Sequence, residues 1–481
     1  VDVDKALGSK PVADVAKSLQ GITPGLTVTY KSGNLGGDAT INIRGIGTII
    51  DGKEKGEPLI LVDGVPSDLT LINPEDIAHI SVLKDAASAS IYGTRGAFGV
   101  VLITTKKGQA VGDKVKFSYS TNLAFSKPTS LVGFVDPEDE LPVMMYANNR
   151  TNPGKMSESF GMQHDILLAG IKNWKANYAG SRSTKNKEMI YGEDWEIIDG
   201  RAYTYRIWDP HKEMLRDWTP QQTHNFSAQG RMGEKSSFMV SLGYVNQSGF
   251  MRINTDKMKR YNANVSMNTR LTSWLKASVG TLFTRKNHEE PYNYYNNGIT
   301  ESEKNGYFGY YMRWGQYFPY GTYDGKYFRH APGYMAQANM NNKQTDMLRL
   351  NASLIADITK DLQFVAEYSI NNETIDWNIN CHSTQMLDFW TGDWDPNNIL
   401  GTAYQYLDVP GSANDKIANS HSKDQTHVFN AYATYSKQFE DHGLKVMAGT
   451  NIEKNDFQRF YLERRNVMDP TMPDISLTTG S

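Results

Sequence analysis

Tyr261-Asn262-Ala263-Asn264-Val265-Ser266-Met267-Asn268-Thr269-Arg270-Leu271 alternates without a break. Tyr261, Ala263, Val265, Met267, Thr269 and Leu271 occupy one parity, and Asn262, Asn264, Ser266, Asn268 and Arg270 the other. Successive strand residues point to opposite faces, so this segment has one apolar and one wholly polar face. The split repeats over 348–358, where Leu348, Leu350, Ala352, Leu354 and Ala356 oppose Arg349, Asn351, Ser353 and Asp357. It recurs over 115–125, 238–245, 275–285, 362–371, 427–437 and 444–453, with a weaker example at 223–232, which makes about nine strands. Each is near the 9–11 residues that a β-strand needs to cross a membrane.

The connections decide the architecture. Short turns fall at 233–236, 272–274, 359–361 and 440–443; the longer connections are 126–222, 249–259, 288–343 and 373–424. Strict alternation of short and long has no basis in a soluble sandwich. It is what a membrane barrel shows, with tight turns on one rim and long loops on the other. Lys116, Arg270, Lys276, Arg349 and Lys445 all lie on the polar parity, as they must if the apolar face meets lipid, where a mid-depth cation costs roughly 2–4 kcal/mol. The polar face is then the lumen. A sheet of about nine strands would leave two open edges, which hydrocarbon does not tolerate, and the stretch after 455 offers no closing strand. The reading therefore expects part of a larger barrel.

Composition sets the exclusions. In 481 residues, 50 Lys and Arg against 53 Asp and Glu give a net charge of −3, without the basic excess of a nucleic-acid binder. No apolar run of about 18 residues marks a spanning helix. With 39% hydrophobic and 11% aromatic residues the chain is not disordered in character. The single cysteine, Cys381, forms no internal disulfide, and no Cys/His cluster has zinc spacing. Residues 1–20 lack the basic start and apolar core of a signal peptide, which a mature exported chain would have lost. No P-loop, H-E-x-x-H or G-x-S-x-G is present, so no enzyme is expected.

Residues 1–112 have a different texture, mixing short helices and strands. Val15, Ala16 and Leu19 share a helical face; 25–30, 39–44, 58–62, 80–83 and 100–105 read as strands; Asp63-Gly64 is a tight turn; and Asn73-Pro74 opens a capped helical turn. This is a small α+β domain.

Four motifs in that domain, in order, carry a family resemblance: Ile41-Asn42-Ile43-Arg44-Gly45, Leu59-Ile60-Leu61-Val62-Asp63-Gly64-Val65-Pro66, Asn73-Pro74-Glu75-Asp76-Ile77, and the run from Val82-Leu83-Lys84-Asp85 through Ile91-Tyr92-Gly93-Thr94-Arg95-Gly96 to Thr105-Lys106-Lys107-Gly108. Together they resemble the plug domain of SusC/RagA-type TonB-dependent outer-membrane transporters. The resemblance covers 1–112, and 113–481 fits as the N-terminal part of a transmembrane β-barrel with long extracellular loops. It implies a membrane β-barrel, antiparallel and of about 22 strands when complete, with the α+β plug inside its lumen. It further implies a cell-outer-membrane location and active import of an oligosaccharide, or less often a peptide. The implied partners are a SusD-like lipoprotein lid and TonB, supplied by ExbB and ExbD; a dimer of transporter–lid pairs is left open. Neither TonB box nor upstream domain falls in this sequence.

The residues themselves suggest where such a protein works. Lumen-facing Asp357, Glu367 and Glu453 are candidates to pair with the plug cations Arg44, Lys84 and Arg95; alternatively, those arginines satisfy plug carbonyls. Segment 291–334 is about one-third aromatic and includes Tyr310, Tyr311, Trp314, Tyr317 and Tyr320, with Trp390 and Trp394 in the next loop. Such rings suit sugar stacking, packing on a lid, or packing on one another. Asp393, Asp395 and Asn397 have the opening spacing of a calcium loop, but Asn398 and Tyr404 stand where glycine and glutamate belong; no cofactor or metal is expected. A glycan-binding lectin and a non-transporting sensor are the alternative functions.

Overall fold

The computed structural model describes residues 14–21, 25–30, 35, 39–43, 48–50, 53–108, 114–129, 131–182, 185–294, 306–439 and 441–480. The small domain has helix α1 (Val15–Leu19) and strands β1 (Leu26–Tyr30), β2 (Ala39–Ile43), β3 (Leu59–Val62), β4 (Ile77–Leu83) and β5 (Val100–Thr105). β1 pairs with β2; β5 lies parallel to β3 and antiparallel to β4. Asp63 (φ 49°) and Gly64 (φ 82°) make the turn after β3, and the Asp63 carboxylate accepts from Thr105 N at 3.0 Å and Thr105 Oγ1 at 2.6 Å. Asn73 caps the turn at Pro74–Asp76, accepting from Glu75 N at 3.3 Å.

A nine-stranded antiparallel sheet follows: β6 (Lys116–Ser126), β7 (Thr219–Met232), β8 (Ser236–Ser248), β9 (Lys257–Arg270), β10 (Leu275–Pro291), β11 (Met340–Asp357), β12 (Leu362–Asn380), β13 (Lys416–Phe439) and β14 (His442–Arg465). Every strand pairs with its sequence neighbour, without crossovers. Register places alternate rows on opposite faces: Val265, Thr281, Leu350 and Ile370 in one, Ser266, Gly280, Asn351 and Ser369 in the next.

The two faces are those of an inverted protein. Val265 is 45% and Leu350 46% exposed, whereas Asn264 is 5% and Arg349 0% exposed. The inner polar face packs on the small domain, and the outer apolar face is bare. Toward the loop end the apolar face stops at a row where Tyr244 and Tyr261 lie beside each other and the Arg285–Asp346 ion pair (2.7 Å) closes the next strands. Exposed Trp274 marks the turn end. Aromatic and charged residues flanking an apolar band are what a bilayer interface selects. No helix among the described residues is long and apolar enough to cross a membrane.

The loops at the other end fold together. The described residues within 127–218, 292–339 and 381–415 carry α2 (Pro137–Thr151), α3 (His164–Asn177), α4 (Gly306–Arg313) and α5 (Ala331–Gln337), and share one core around Trp195, Trp208, Tyr311, Phe328, Phe389 and Trp394. This cap is a folded unit rather than a set of loose loops.

The candidate functional site: a plug hung on a polar wall

Two buried arginines of the wall reach into the plug. Arg349 on β11 is fully buried; its Nη1 donates to the Val62 carbonyl at 2.9 Å, its Nη2 to Ser67 Oγ and its Nε to Asn371 at 3.1 Å. Arg260 on β9, 2% exposed, donates from Nη1 to the Thr70 carbonyl at 2.8 Å and from Nε to Asn262 at 3.0 Å. Asn262 Nδ2 and Thr284 Oγ1 both donate to the Leu71 carbonyl, at 3.0 and 2.8 Å. The chain on both sides of the Asp63-Gly64 turn thus hangs, mainly by backbone oxygens, from side chains of three strands. A guanidinium presents a rigid fork of donors, which lets one residue hold several carbonyl and hydroxyl oxygens.

Two further bands complete the seat. Asn73 Nδ2 donates to Asn225 Oδ1 at 2.9 Å, and a β-carbon added at Gly243 would lie 2.6 Å from that same Nδ2, so glycine is needed there for close approach. Lower down, Gly108 N donates to Ser266 Oγ at 3.2 Å, while its carbonyl accepts from Ser237 Oγ at 2.8 Å and Asn268 Nδ2 at 2.9 Å. A β-carbon at Gly108 would stand 2.5 Å from the Phe238 backbone. Apolar contacts join the two at two places: the plug core around Val62, Leu71, Ile80 and Ile103 reaches Leu282 and Met347 of the wall, and Leu35 packs with Val245 and Met258.

Asp76 is buried at this interface, and burial pushes its carboxyl up to about 6, with Ser241, Lys106 and Arg260 acting in the opposite direction.

The residues singled out in the sequence divide. Arg95 Nη1 and Glu453 Oε1 meet at 2.6 Å, with side chains 45% and 21% exposed. Lys84 lies half-buried within the plug, its ammonium beside Gly25. Glu367 lines a cavity next to the plug residue Lys107. Arg44 and the side chain of Tyr310 lie outside the described residues. Asp357 does not serve as a plug contact: at the last residue of β11 it pairs with Lys276 of the neighbouring strand at 2.9 Å and accepts from Gln363 at 2.8 Å. It sits at the rim, where cross-strand partners are nearer than the plug.

The loop aromatics need a larger correction. Tyr311, Tyr317, Tyr320 and Trp394 are at most 2% exposed, so they form the cap's interior and offer no surface to a lid or cargo. Trp314 and Trp390 are half-buried, and Trp390 carries Phe160 stacked at 4.9 Å and the Arg329 guanidinium at 3.9 Å over its ring. Of the three roles open to these rings, packing on one another is the one the geometry gives. Asp395 accepts from Asn397 N at 2.8 Å, a local turn, and no metal-competent group of three or more acids, histidines or cysteines occurs among the described residues.

Arg260 is a wall contact that the sequence reading does not name. It precedes the alternating run by one position, and carrying the polar parity of Asn262 and Asn264 back to 260 would have found it.

Comparison with known proteins agrees with this architecture. The TonB-dependent Receptor Plug Domain model matches residues 3–100. The TonB-dependent receptor P39 of Formosa agariphila is 44% identical over 210 residues, covering 41% of this chain and 20% of that protein. The TonB-dependent receptor SusC of Bacteroides thetaiotaomicron is 39% identical over 119 residues, covering 23% and 12%. The matches therefore span about a fifth or less of these relatives' length. Among solved structures, the RagAB peptide transporter aligns over the whole chain and 50% of its own length, with a TM-score of 0.70 at 20% identity, which shows a shared fold. Residues 3–100 thus match the TonB-dependent receptor plug family, and the whole chain has the fold of a plug set in part of a β-barrel. Over the matched stretches its sequence is similar to SusC-type receptors.

Proposed function

We propose that the chain works in TonB-dependent active import of oligosaccharides across a bacterial outer membrane, beneath a SusD-like surface lipoprotein. The observation that carries this reading is the seat of the plug. It is held largely by polar side chains on backbone oxygens, so a directed pull can exchange these bonds for bonds to water one after another. The exposed Arg95–Glu453 pair is the contact that gives way most readily, since such pairs contribute only about 0–1 kcal/mol. No covalent chemistry is assigned to the chain. An inner wall of uncharged amides and hydroxyls, including Asn264, Ser266, Asn351 and Ser369, favours a hydroxylated cargo over an apolar one.

The test is purification of the full-length protein from outer membranes, with mass spectrometry of co-purifying protein and retained small molecules. Uptake of any identified cargo is then followed with and without TonB. A stoichiometric lipoprotein, a retained glycan and TonB-dependent uptake are expected. Recovery as a soluble glycan binder, or uptake indifferent to TonB, would overturn the reading; a retained peptide would reassign the cargo.

A further inference from the structure

We propose that cargo passes the plug on its β9–β12 side and leaves through a cationic vestibule, which makes the route selective for anionic oligosaccharides bearing carboxylate or sulfate groups. This inference rests on the import reading above.

Two adjoining spaces carry it. The upper is a slot of 50 Å³ between Asp63, Thr105 and Lys107 of the plug and the inner faces of β9 to β12. At about 10–15 Å³ per water it holds a short file of waters. Its wall is built from small residues, Ser266, Ser278, Gly280, Ser353 and Ser369, so the backbone lies close and the slot stays polar. Asn264 also lines it; this side chain is 5% exposed and its Nδ2 has no hydrogen-bond partner. The Oδ1 of Asn351, across the slot, is likewise without one. A buried amide left unsatisfied is costly. The slot is thus lined by amide and hydroxyl side chains, with the two orphaned amide atoms packed behind its surface.

The slot opens downward into a cavity of 470 Å³, with which it shares Lys107, Ser278, Ser353 and Glu367. Among the described residues, the lining of this lower space includes Lys107, Arg231, Lys235, Arg270 and Lys276 alongside Glu234 and Glu367. Asp357 offsets Lys276 at 2.9 Å, and a cationic excess persists. Four of the five cations belong to the wall, so the charge stays in place if the plug moves. A cleft lined by one sign of charge concentrates ions of the other. An anionic sugar chain would be drawn through the slot toward the exit, while a neutral one would gain nothing.

The full-length protein in a planar bilayer, its plug loosened with urea, tests the route whatever the natural cargo is. The reversal potential under a KCl gradient should show anion selectivity. Tetragalacturonate added from the vestibule side should block the current at about tenfold lower concentration than maltotetraose, roughly the effect of two exposed charges. Arg270→Glu with Lys235→Glu should abolish both differences, and Ser278→Trp should lower conductance in a barrel that remains heat-modifiable on gels. Cation selectivity, equal block by the two sugars or indifference to the charge reversals would overturn the inference. Absence of any current once the plug is loosened would instead sink the import reading on which it rests.

Discussion

Arg349 and Arg95 both join plug to wall, and physical chemistry ranks them differently. Arg349 is fully buried and makes three hydrogen bonds, two of them to the plug; charge-assisted bonds contribute about 1.5–3 kcal/mol each. Arg349→Ala should loosen the plug by about 3 kcal/mol, read as a lower plug melting temperature and as sensitivity of expressing cells to a large antibiotic. For Arg95 and Glu453, 45% and 21% exposed, a double-mutant cycle should return a coupling below about 1 kcal/mol. Asp76 gives a pH signature. Its folded carboxyl titrates near 6, above the ordinary 3.8, so the folded plug binds the extra proton between those values. Stability from Asp76 is thus fullest below the ordinary value and lost as pH rises through about 6. Asp76→Asn should melt higher than the parent at pH 8, the gap closing as pH falls below about 6.

At the scale of the strand, one residue of parity separates lipid from lumen. Leu350 points outward at mid-strand, and Leu350→Lys should cost roughly 2–4 kcal/mol, seen as loss of the heat-modifiable folded band. The same kind of cation one position earlier, Arg349, is what holds the plug. The strands also outrun their alternating cores: the pattern over 427–437 and 444–453 became 24-residue strands, Lys416–Phe439 and His442–Arg465. In the upper parts the outer face is no longer confined to lipid: β13 buries Lys416, Ile417, Ala418 and Ser420, whereas 454–462 of β14 is exposed on both faces. The contrast between apolar and polar parity vanishes there, and the sequence signal with it.

Across the whole molecule, the cap behaves as a domain set on the wall. Trp195, fully buried, is edge-on to Tyr191, Tyr323, Phe328 and Trp394 from three separate stretches of chain. Trp195→Ala should cost about 3–5 kcal/mol and convert segments 160–208 and 381–415 from protease-resistant to protease-sensitive on intact cells. A cap with a shared core also places any lid contact on its outer helices and turns rather than on its buried aromatics.

The sequence by itself determined the plug motifs, the nine strands, the parity of each inward and outward residue, and the alternation of tight turns with long connections. These are local properties: an outer-membrane strand must be apolar on one side along its own length, and a tight turn must carry its own glycine or cap. Tertiary structure decided what depends on meeting. It buried Tyr311, Tyr317, Tyr320 and Trp394 against one another, because an aromatic-rich stretch reads alike whether its rings face water or a core. It paired Asp357 sideways with Lys276, yet brought Arg95 to Glu453 across 358 positions of chain. It also gave Arg260 and Arg349 the plug's carbonyls, which no pattern of side chains can announce, since every residue carries one.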